Sequence, residues 1–583
     1  MASAISGLPA FLSARNTKHG HVLSSNLFFS CPNKARKSLN SIRIRSERRE
    51  SSSIDRRRLL LTSSTLGMSA FRAGKSMAEP FPVPDLSSCK TPPTDLPNGA
   101  TLDNGGTCCP PFTSGTSPVD FEFPSSLPMR TRQAAHLVDD KFKAKYDAAL
   151  TAMKGLDEDD PRRFSQQASV HCAWCNGAYL VGSDSMDYQV HQSWLFLPFH
   201  RWYLYFYERI LGHLIGDETF ALPFWNWDTE VGMSIPPIYT DTSLAMYDTN
   251  RDACHQPPVI INLTDPTSCD NGSVKSNYAN IYTHVVSGAT TASLFHGADY
   301  RYGSGEVPDN SRSGQLELSP HNLVHVWVGS SSNTNRENMG TLYSSGRDPL
   351  FYSHHANVDR MWSIWNDKLG RSNYKDTDLT NSKFVFYDEK KQLVQVNAGD
   401  CYDMSKLRYQ YQEVDTPWLS GGRSFKKAGK FRPKPAPTGF PKADDQLKSL
   451  TAPVTVLVTR PSKTRTKKQR GEQEEILSIQ GIEVDMAETA KFNIFINYPE
   501  ADSTTSYDSP HYAGTFVNFG HGMKGMKSTS KKVGFKVGIS ETLEDLDADG
   551  DESVLVTLVP QATKFLPKTP IKFTTISIEF ETK

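Results

Sequence analysis

Six histidines, scattered along 583 residues, carry spacings that make sense only if the fold brings them together. In His321-Asn-Leu-Val-His325 the four-residue interval places two imidazoles on one face of a helix, close enough to share a metal ion. Further on, in Asp348-Pro-Leu-Phe-Tyr-Ser-His354-His355-Ala-Asn-Val-Asp359, Asp359 falls one helical turn beyond His355. A carboxylate at that offset is placed to orient an imidazole ligand. His354 points about 100° away on the same helix, which leaves His355 as the third member of the set. A second set starts from His191 and His200. On one continuous helix these two would face opposite ways, but Pro198 interrupts the chain between them. His191 then approaches from a loop while His200 opens the next helix, and His171 on the preceding helix completes three. Imidazole triads suit copper, zinc, iron or nickel, and spacing does not choose among them. A single zinc hydrolase site needs only three protein ligands and an open position. Two all-histidine sites without a bridging carboxylate better suit a copper pair that binds dioxygen.

The charge of the chain is divided between its ends. Residues 1–78 hold 14 Lys and Arg against 3 Asp and Glu, a net of +11, which leaves the remainder at 50 against 61, a net of −11. An acidic body lacks the cationic field that a nucleic-acid partner requires. No acidic residue precedes Glu47, and Ser, Arg and Lys are plentiful, as in an organelle transit peptide. Arg56-Arg57-Arg58, the apolar stretch 59–71 and Ser76-Met77-Ala78 follow, resembling a twin-arginine export signal with its cleavage site. The two in series read as chloroplast import followed by transfer to the thylakoid lumen. The apolar stretch is too short to span a bilayer, so the mature chain, from about Glu79, is expected to have no transmembrane segment.

Between about 130 and 370 the periodicity is mostly helical, with helices expected at 137–153, 161–175, 202–214, 320–327 and 349–369. The segment 229–316, rich in Ser, Thr, Asn, Asp and Gly, reads as irregular and exposed. Gly421-Gly422-Arg423 opens a run of Lys, Arg, Pro and Gly that marks an exposed, protease-accessible linker over 421–450. Beyond it, 455–459, 492–497, 553–559 and 574–580 alternate apolar and polar residues, the pattern of a β-sandwich over 451–583. Asp545-Leu-Asp-Ala-Asp-Gly550 imitates a calcium loop, but Val556 stands where a bidentate Glu is needed, so it reads as a turn between strands. In His171-Cys-Ala-Trp-Cys175 the Cys172–Cys175 spacing admits a redox pair or half a zinc site. The adjacent Cys108-Cys109 lie in a Gly- and Pro-rich loop that needs pinning to something larger. Connectivity is open at this level, as is the state of Cys254, Cys269 and Cys401.

Phe196-Leu-Pro-Phe-His-Arg-Trp-Tyr-Leu with Glu208, together with the 348–359 segment, resembles the two copper signatures of the tyrosinase and haemocyanin superfamily. The whole chain is similar to the plant polyphenol oxidases, or catechol oxidases, with Asp415-Thr-Pro-Trp-Leu419 and Lys491-Phe-Asn-Ile-Phe495 as further points of likeness. That resemblance implies a mainly α catalytic domain over 79–420, a four-helix bundle around the metal pair, capped by the β-rich C-terminal domain. His171, His191 and His200 would hold one copper ion, and His321, His325 and His355 the other. O2 would be the co-substrate, and small o-diphenols would leave as o-quinones. Glu317 and Asn322 match positions that hold a water able to deprotonate a monophenol. Leu342 stands where Phe usually hangs over one copper, so a wider entrance is expected. The resemblance also implies disulfides Cys89–Cys109 and Cys108–Cys172, a thioether between Cys175 and His191, and a C-terminal domain that shields the site until the linker is cut. The family's Lys-Phe-Asp is Lys491-Phe-Asn here. A dicopper dioxygen carrier and a binuclear zinc hydrolase are the rival readings.

Overall fold

The computed structural model describes residues 79–89, 108–182, 186–303, 312–333, 335–419, 439–443, 449–485, 488–520, 530–561 and 570–583. The 1–78 targeting segment and residues 421–438 and 444–448 of the expected linker lie outside them. Among the described residues no helix is long and apolar enough to cross a membrane.

Helices α1 (Asp140–Lys154), α2 (Phe164–Cys175), α3 (Phe196–Leu214), α4 (Val274–Tyr282), α5 (Ala292–His296), α6 (Asn322–Val328) and α7 (Leu350–Asp367) build the first part of the chain. From Phe196 to Gly212 every residue of α3 except Arg209 is buried, so α3 is a central helix without a solvent face. Its aromatic residues account for this. Each fully buried large apolar side chain contributes roughly 1.5–3 kcal/mol, and α3 supplies Phe196, Phe199, Trp202, Tyr203, Tyr205, Phe206 and Tyr207. Tyr207 lies flat on Tyr352 of α7, their ring centroids 3.5 Å apart. This stack helps set the spacing between the two helices that carry His200 and His355.

Three details differ from the sequence-based expectation. Helix α3 begins at Phe196, so Pro198 lies within its first turn rather than before it. The first-turn N–H has no intrahelical partner, so a proline costs nothing there. The loop entry of His191 is unaffected. The 229–316 segment is neither irregular throughout nor exposed: α4 and α5 lie in it, and residues 276–282 are all buried. Its polar residues hid a helix that packs under the C-terminal domain. The calcium-loop imitation is preceded by a short helix, Ser540–Asp545, before the chain turns into a strand.

Short strands β1 (Val119–Asp120), β2 (Arg130–Arg132), β3 (Leu180–Val181), β4 (Met186–Asp187), β5 (Lys383–Tyr387), β6 (Leu393–Asn397) and β7 (Tyr409–Tyr411) form small sheets, ordered β1-β6-β5, β2-β7 and β3-β4. The C-terminal part holds β8 (Val454–Thr459), β9 (Gln473–Asp485), β10 (Ala490–Ile496), β11 (Tyr512–Asn518), β12 (Ser530–Gly538), β13 (Ser553–Pro560) and β14 (Thr575–Thr582). They pair antiparallel as β11-β10-β13-β8 and β12-β9-β14. One apolar core, including Ile479, Phe492, Phe516, Phe535 and Leu558, serves both sheets.

Where this part meets the first, Lys491 of β10 is fully buried and donates across the boundary to the Thr264 carbonyl. Two positions along the same strand face stands Asn493, a neutral side chain whose Oδ1 accepts from Thr515 and Tyr507 and whose Nδ2 has no partner. Burial therefore drives the Lys491 amine from 10.5 down to about 7, only partly opposed by the charge of Asp265. The unfolded chain keeps its proton up to the ordinary lysine range, so between pH 7 and 10 it binds a proton that the folded chain does not. Stability gained from this group must rise with pH across that window and be lowest below it. Thermal midpoints measured from pH 7 to 10 should show that rise, and Lys491→Met should flatten it. An equal slope in both proteins would remove Lys491 as its cause.

Candidate metal centre

His171 sits in α2, His191 in the loop after β4, His200 at the start of the second turn of α3, His321 directly before α6, His325 within α6, and His355 in α7. All six are buried. Ligand atoms of His171, Cys175, His191 and His200 lie within 4.8 Å of one another, and so do those of His321, His325, His354 and His355. The two groups adjoin: the His200 and His355 rings stack with centroids 4.2 Å apart.

Backbone oxygens orient the rings. The Nδ1 of His171 faces the Leu342 carbonyl at 3.0 Å, that of His200 the Phe196 carbonyl at 2.8 Å, and that of His325 the Met339 carbonyl at 2.9 Å. His321 Nδ1 meets Asn322 Oδ1 at 3.0 Å and the Glu317 carbonyl at 3.2 Å. An oxygen acceptor at Nδ1 fixes the proton there and leaves the Nε2 lone pair for the interior. The Nε2 atoms of His171 and His200 have no hydrogen-bond partner. His355 Nε2 lies 3.4 Å from His321 Nε2 and 3.3 Å from His325 Nε2. Lone pairs from His321 and His325 thus converge on one point, an arrangement that repels itself unless a cation or proton sits between them. Protonation is opposed: burial and neighbouring imidazoles hold His171, His321 and His355 well below 6.5, and burial puts His200 at about 3 and His325 at about 4. Neutral imidazoles with inward lone pairs fit a borderline or soft transition-metal cation such as copper.

The other expected site residues fall as follows. Cys175 is a buried thiol within the first cluster. Gln189, not singled out from sequence, bridges the end of α2 to the His191 loop, donating to the Cys175 carbonyl at 2.7 Å and accepting from the His191 N–H at 3.0 Å. Glu317 Oε1 accepts from the Gln192 N–H at 2.8 Å, gripping the same loop. Its Oε2 has no hydrogen-bond partner, and burial raises the carboxyl to about 8. Leu342 is buried, its side chain packed with Val326 and with Phe519 of the C-terminal part. Cys89 pairs with Cys109, Cys108 with Cys172 and Cys254 with Cys269. The disulfide at Cys254, and carbonyl oxygens facing both ring nitrogens of His255, leave Asp252, Cys254 and His255 unsuited to a metal despite their closeness.

Asp359 differs from expectation. Its carboxylate is committed to Arg201 at 2.5 Å, Arg132 at 3.2 Å and the hydroxyls of Tyr409 and Tyr411 at 2.6 and 2.5 Å. His355 Nδ1 has no hydrogen-bond partner. One turn of helix does bring Asp359 near, but four other donors, two guanidinium groups and two hydroxyls, surround it. Since Arg201 follows His200 directly, the pair ties α3 to α7 behind both clusters. Glu208 continues this network, accepting from Arg130, Arg132 and the Leu222 N–H, each at 2.8 Å. Glu208→Gln would leave the buried Arg130 without a carboxylate and Arg132 with Asp359 alone, and should cost about 3–5 kcal/mol. Urea unfolding of the full chain measures this, and a loss under about 1 kcal/mol would mean the network is not tightly coupled.

Two adjoining clusters of oriented, neutral imidazoles define a protein built to hold a pair of transition-metal ions. Comparison with known sequences agrees. The common central domain of tyrosinase matches residues 161–368, the polyphenol oxidase middle domain 373–422, and the chloroplastic polyphenol oxidase C-terminal domain 447–580. A chloroplastic polyphenol oxidase of Vitis vinifera is 46% identical over 542 residues, covering 89% of this chain and 87% of that protein. Aureusidin synthase of Antirrhinum majus is 43% identical, covering 84% and 88%. Latent apple tyrosinase superposes with a TM-score of 0.72 at 41% identity, covering 80% of this chain and all of that one. The chain belongs to the plant polyphenol oxidase family, copper oxidoreductases with a dicopper centre.

Proposed function

We propose that the chain oxidises o-diphenols to o-quinones at two copper ions. His171, His191 and His200 hold one ion, and His321, His325 and His355 the other. The observation that carries this reading is the convergence of oriented Nε2 lone pairs in two adjoining, buried clusters. Each o-diphenol gives up two electrons and two protons, and two such turnovers reduce one O2 to two waters. Copper, shuttling between its two oxidation states, would supply dioxygen binding and electron transfer. The protein holds the rings and keeps out bulk water. Glu317, with one free carboxylate oxygen and a carboxyl near pH 8, takes and returns a phenol proton at near-neutral pH, directly or through a water shared with Asn322. A monophenol deprotonated there is set up for o-hydroxylation as well. Cys175 lies within 4.8 Å of the His191 ligand atom, which supports a thioether between them. That bond would fix a ring carried on a loop. Peptide mapping should find the two residues cross-linked and lighter by two hydrogens, whereas an alkylatable Cys175 would contradict it.

The proposed domain arrangement is a catalytic domain over 79–420, a four-helix bundle of α2, α3, α6 and α7 around the metals, with a shielding domain over 451–583. Phe519 supports shielding. Its ring centroid lies 5.3 Å from that of His325 and its side chain packs on Leu342, so the wider entrance left by Leu342 is filled from the C-terminal part. Relatives named as chloroplastic place the protein in the chloroplast, and the arginine-led second signal points on to the thylakoid lumen. O2 uptake with a catechol and its matching monophenol, before and after cutting the 421–450 linker, tests the function. Catechol-dependent uptake should rise on cutting, and Phe519→Ala should raise it severalfold in the uncut chain. A reversible O2 carrier or a zinc hydrolase would show no catechol-dependent uptake in either form.

A further inference from the structure

His354, like its neighbour His355, lies in the second cluster. Its ring is stacked on His321 at 5.3 Å, edge-on to His325 at 4.8 Å, and its ligand atom lies within 4.8 Å of theirs. A fourth imidazole on the ion that His321, His325 and His355 would hold would compete with O2 or a phenol for the position those three leave exchangeable. What separates His354 from His355 is the partner at Nδ1. Trp227 Nε1 lies 3.1 Å from His354 Nδ1, and both side chains are fully buried. An indole nitrogen is only ever a donor, so His354 Nδ1 must be the acceptor, and the ring's single proton must sit on Nε2. One lone pair is taken by the indole N–H and the other is replaced by a proton. In His321 and His325 the situation is reversed, since oxygen acceptors draw the proton to Nδ1.

Trp227 has little freedom to leave. On one side the Trp225 N–H donates to the Ser353 carbonyl at 2.9 Å. On the other, Asp228 accepts from Asn357 and Arg360, each at 3.0 Å, and from Trp418 at 2.8 Å. The loop is thus fastened on both sides of Trp227 to α7, the helix that carries His354 and His355.

We propose that Trp227 is a positioning residue that keeps His354 out of the metal shell, so holding open the exchangeable position of the second copper. This rests on the copper reading of the two clusters and adds to it the device that sets the ligand number at three. Without the indole N–H, the His354 proton is free to move to Nδ1 and the Nε2 lone pair becomes available to the metal.

The test uses the full-length, copper-loaded chain, with copper content and azide affinity as readouts. Azide occupies exchangeable copper positions and reports through its near-ultraviolet charge-transfer absorption. Trp227→Phe should keep two copper ions per chain yet bind azide about tenfold more weakly, and Trp227→Phe/His354→Phe should recover native azide affinity. An unchanged azide affinity in Trp227→Phe overturns the proposal. So does a loss that removing His354 fails to rescue, since that is the mark of a merely structural tryptophan. Should Trp227→Phe not fold, His354→Phe alone decides: two retained copper ions support a non-ligand His354, and loss of one ion makes it a ligand and overturns the proposal. A native chain that binds no copper would instead sink the underlying copper reading, a separate and recognisable outcome.

Discussion

Six imidazoles packed together in a buried core, five of them held neutral by burial, are the constraint to which the rest of this structure answers. Lone pairs that meet a few ångströms apart are tolerable only around a cation, and protonation is blocked by burial. The fold therefore has to hold the rings against their own repulsion, and it does so mainly with main-chain carbonyls. Those of Leu342, Phe196 and Met339 each fix one Nδ1 proton, so ring orientation follows backbone position. Such control is rigid because these carbonyls belong to helices and to loops packed against them.

Behind the rings lies a buried charged network. Arg130, Arg132 and Arg201 face Glu208 and Asp359, with Tyr409 and Tyr411 donating to Asp359. Buried ion pairs add little net stability compared with apolar packing, but they tolerate few alternative geometries. Here they join β2, α3, α7 and β7, so the helices carrying His200 and His355 cannot slide independently. The C-terminal part extends the same logic outward, with Phe519 closing on His325 and Lys491 buried at the seam.

Much of this was legible from spacing. The i,i+4 histidines, the paired histidines before Asp359 and the apolar run after His200 each report a local helix face, and local geometry survives folding. Partners brought together from afar were not legible. Helical angle alone set His354 aside, whereas the reason it is not available is an indole 127 positions upstream. Asp359 looked like a partner for His355 because sequence shows the helical turn and not the arginines that compete for it. In the C-terminal part, β9 was missed because Glu474 and Glu475 break its apolar pattern. Both are buried and paired, Glu475 with Arg460 at 2.6 Å and Glu474 with Lys583 at 3.0 Å, and polar residues neutralised by distant partners look like a loop in one dimension. The 229–316 segment failed for the same reason, since the asparagines of α4 are satisfied by contacts such as Asn280 with Tyr512 of β11.

The central claim is that converging imidazoles leave the metal-free core with an electrostatic strain that two copper ions relieve. Titrating the metal-free full-length chain with copper, while following its thermal midpoint, tests this most directly. The account predicts a midpoint that climbs through the first and second equivalents and then levels off. A chain that binds one ion or none, or whose midpoint is unmoved by two, would contradict it.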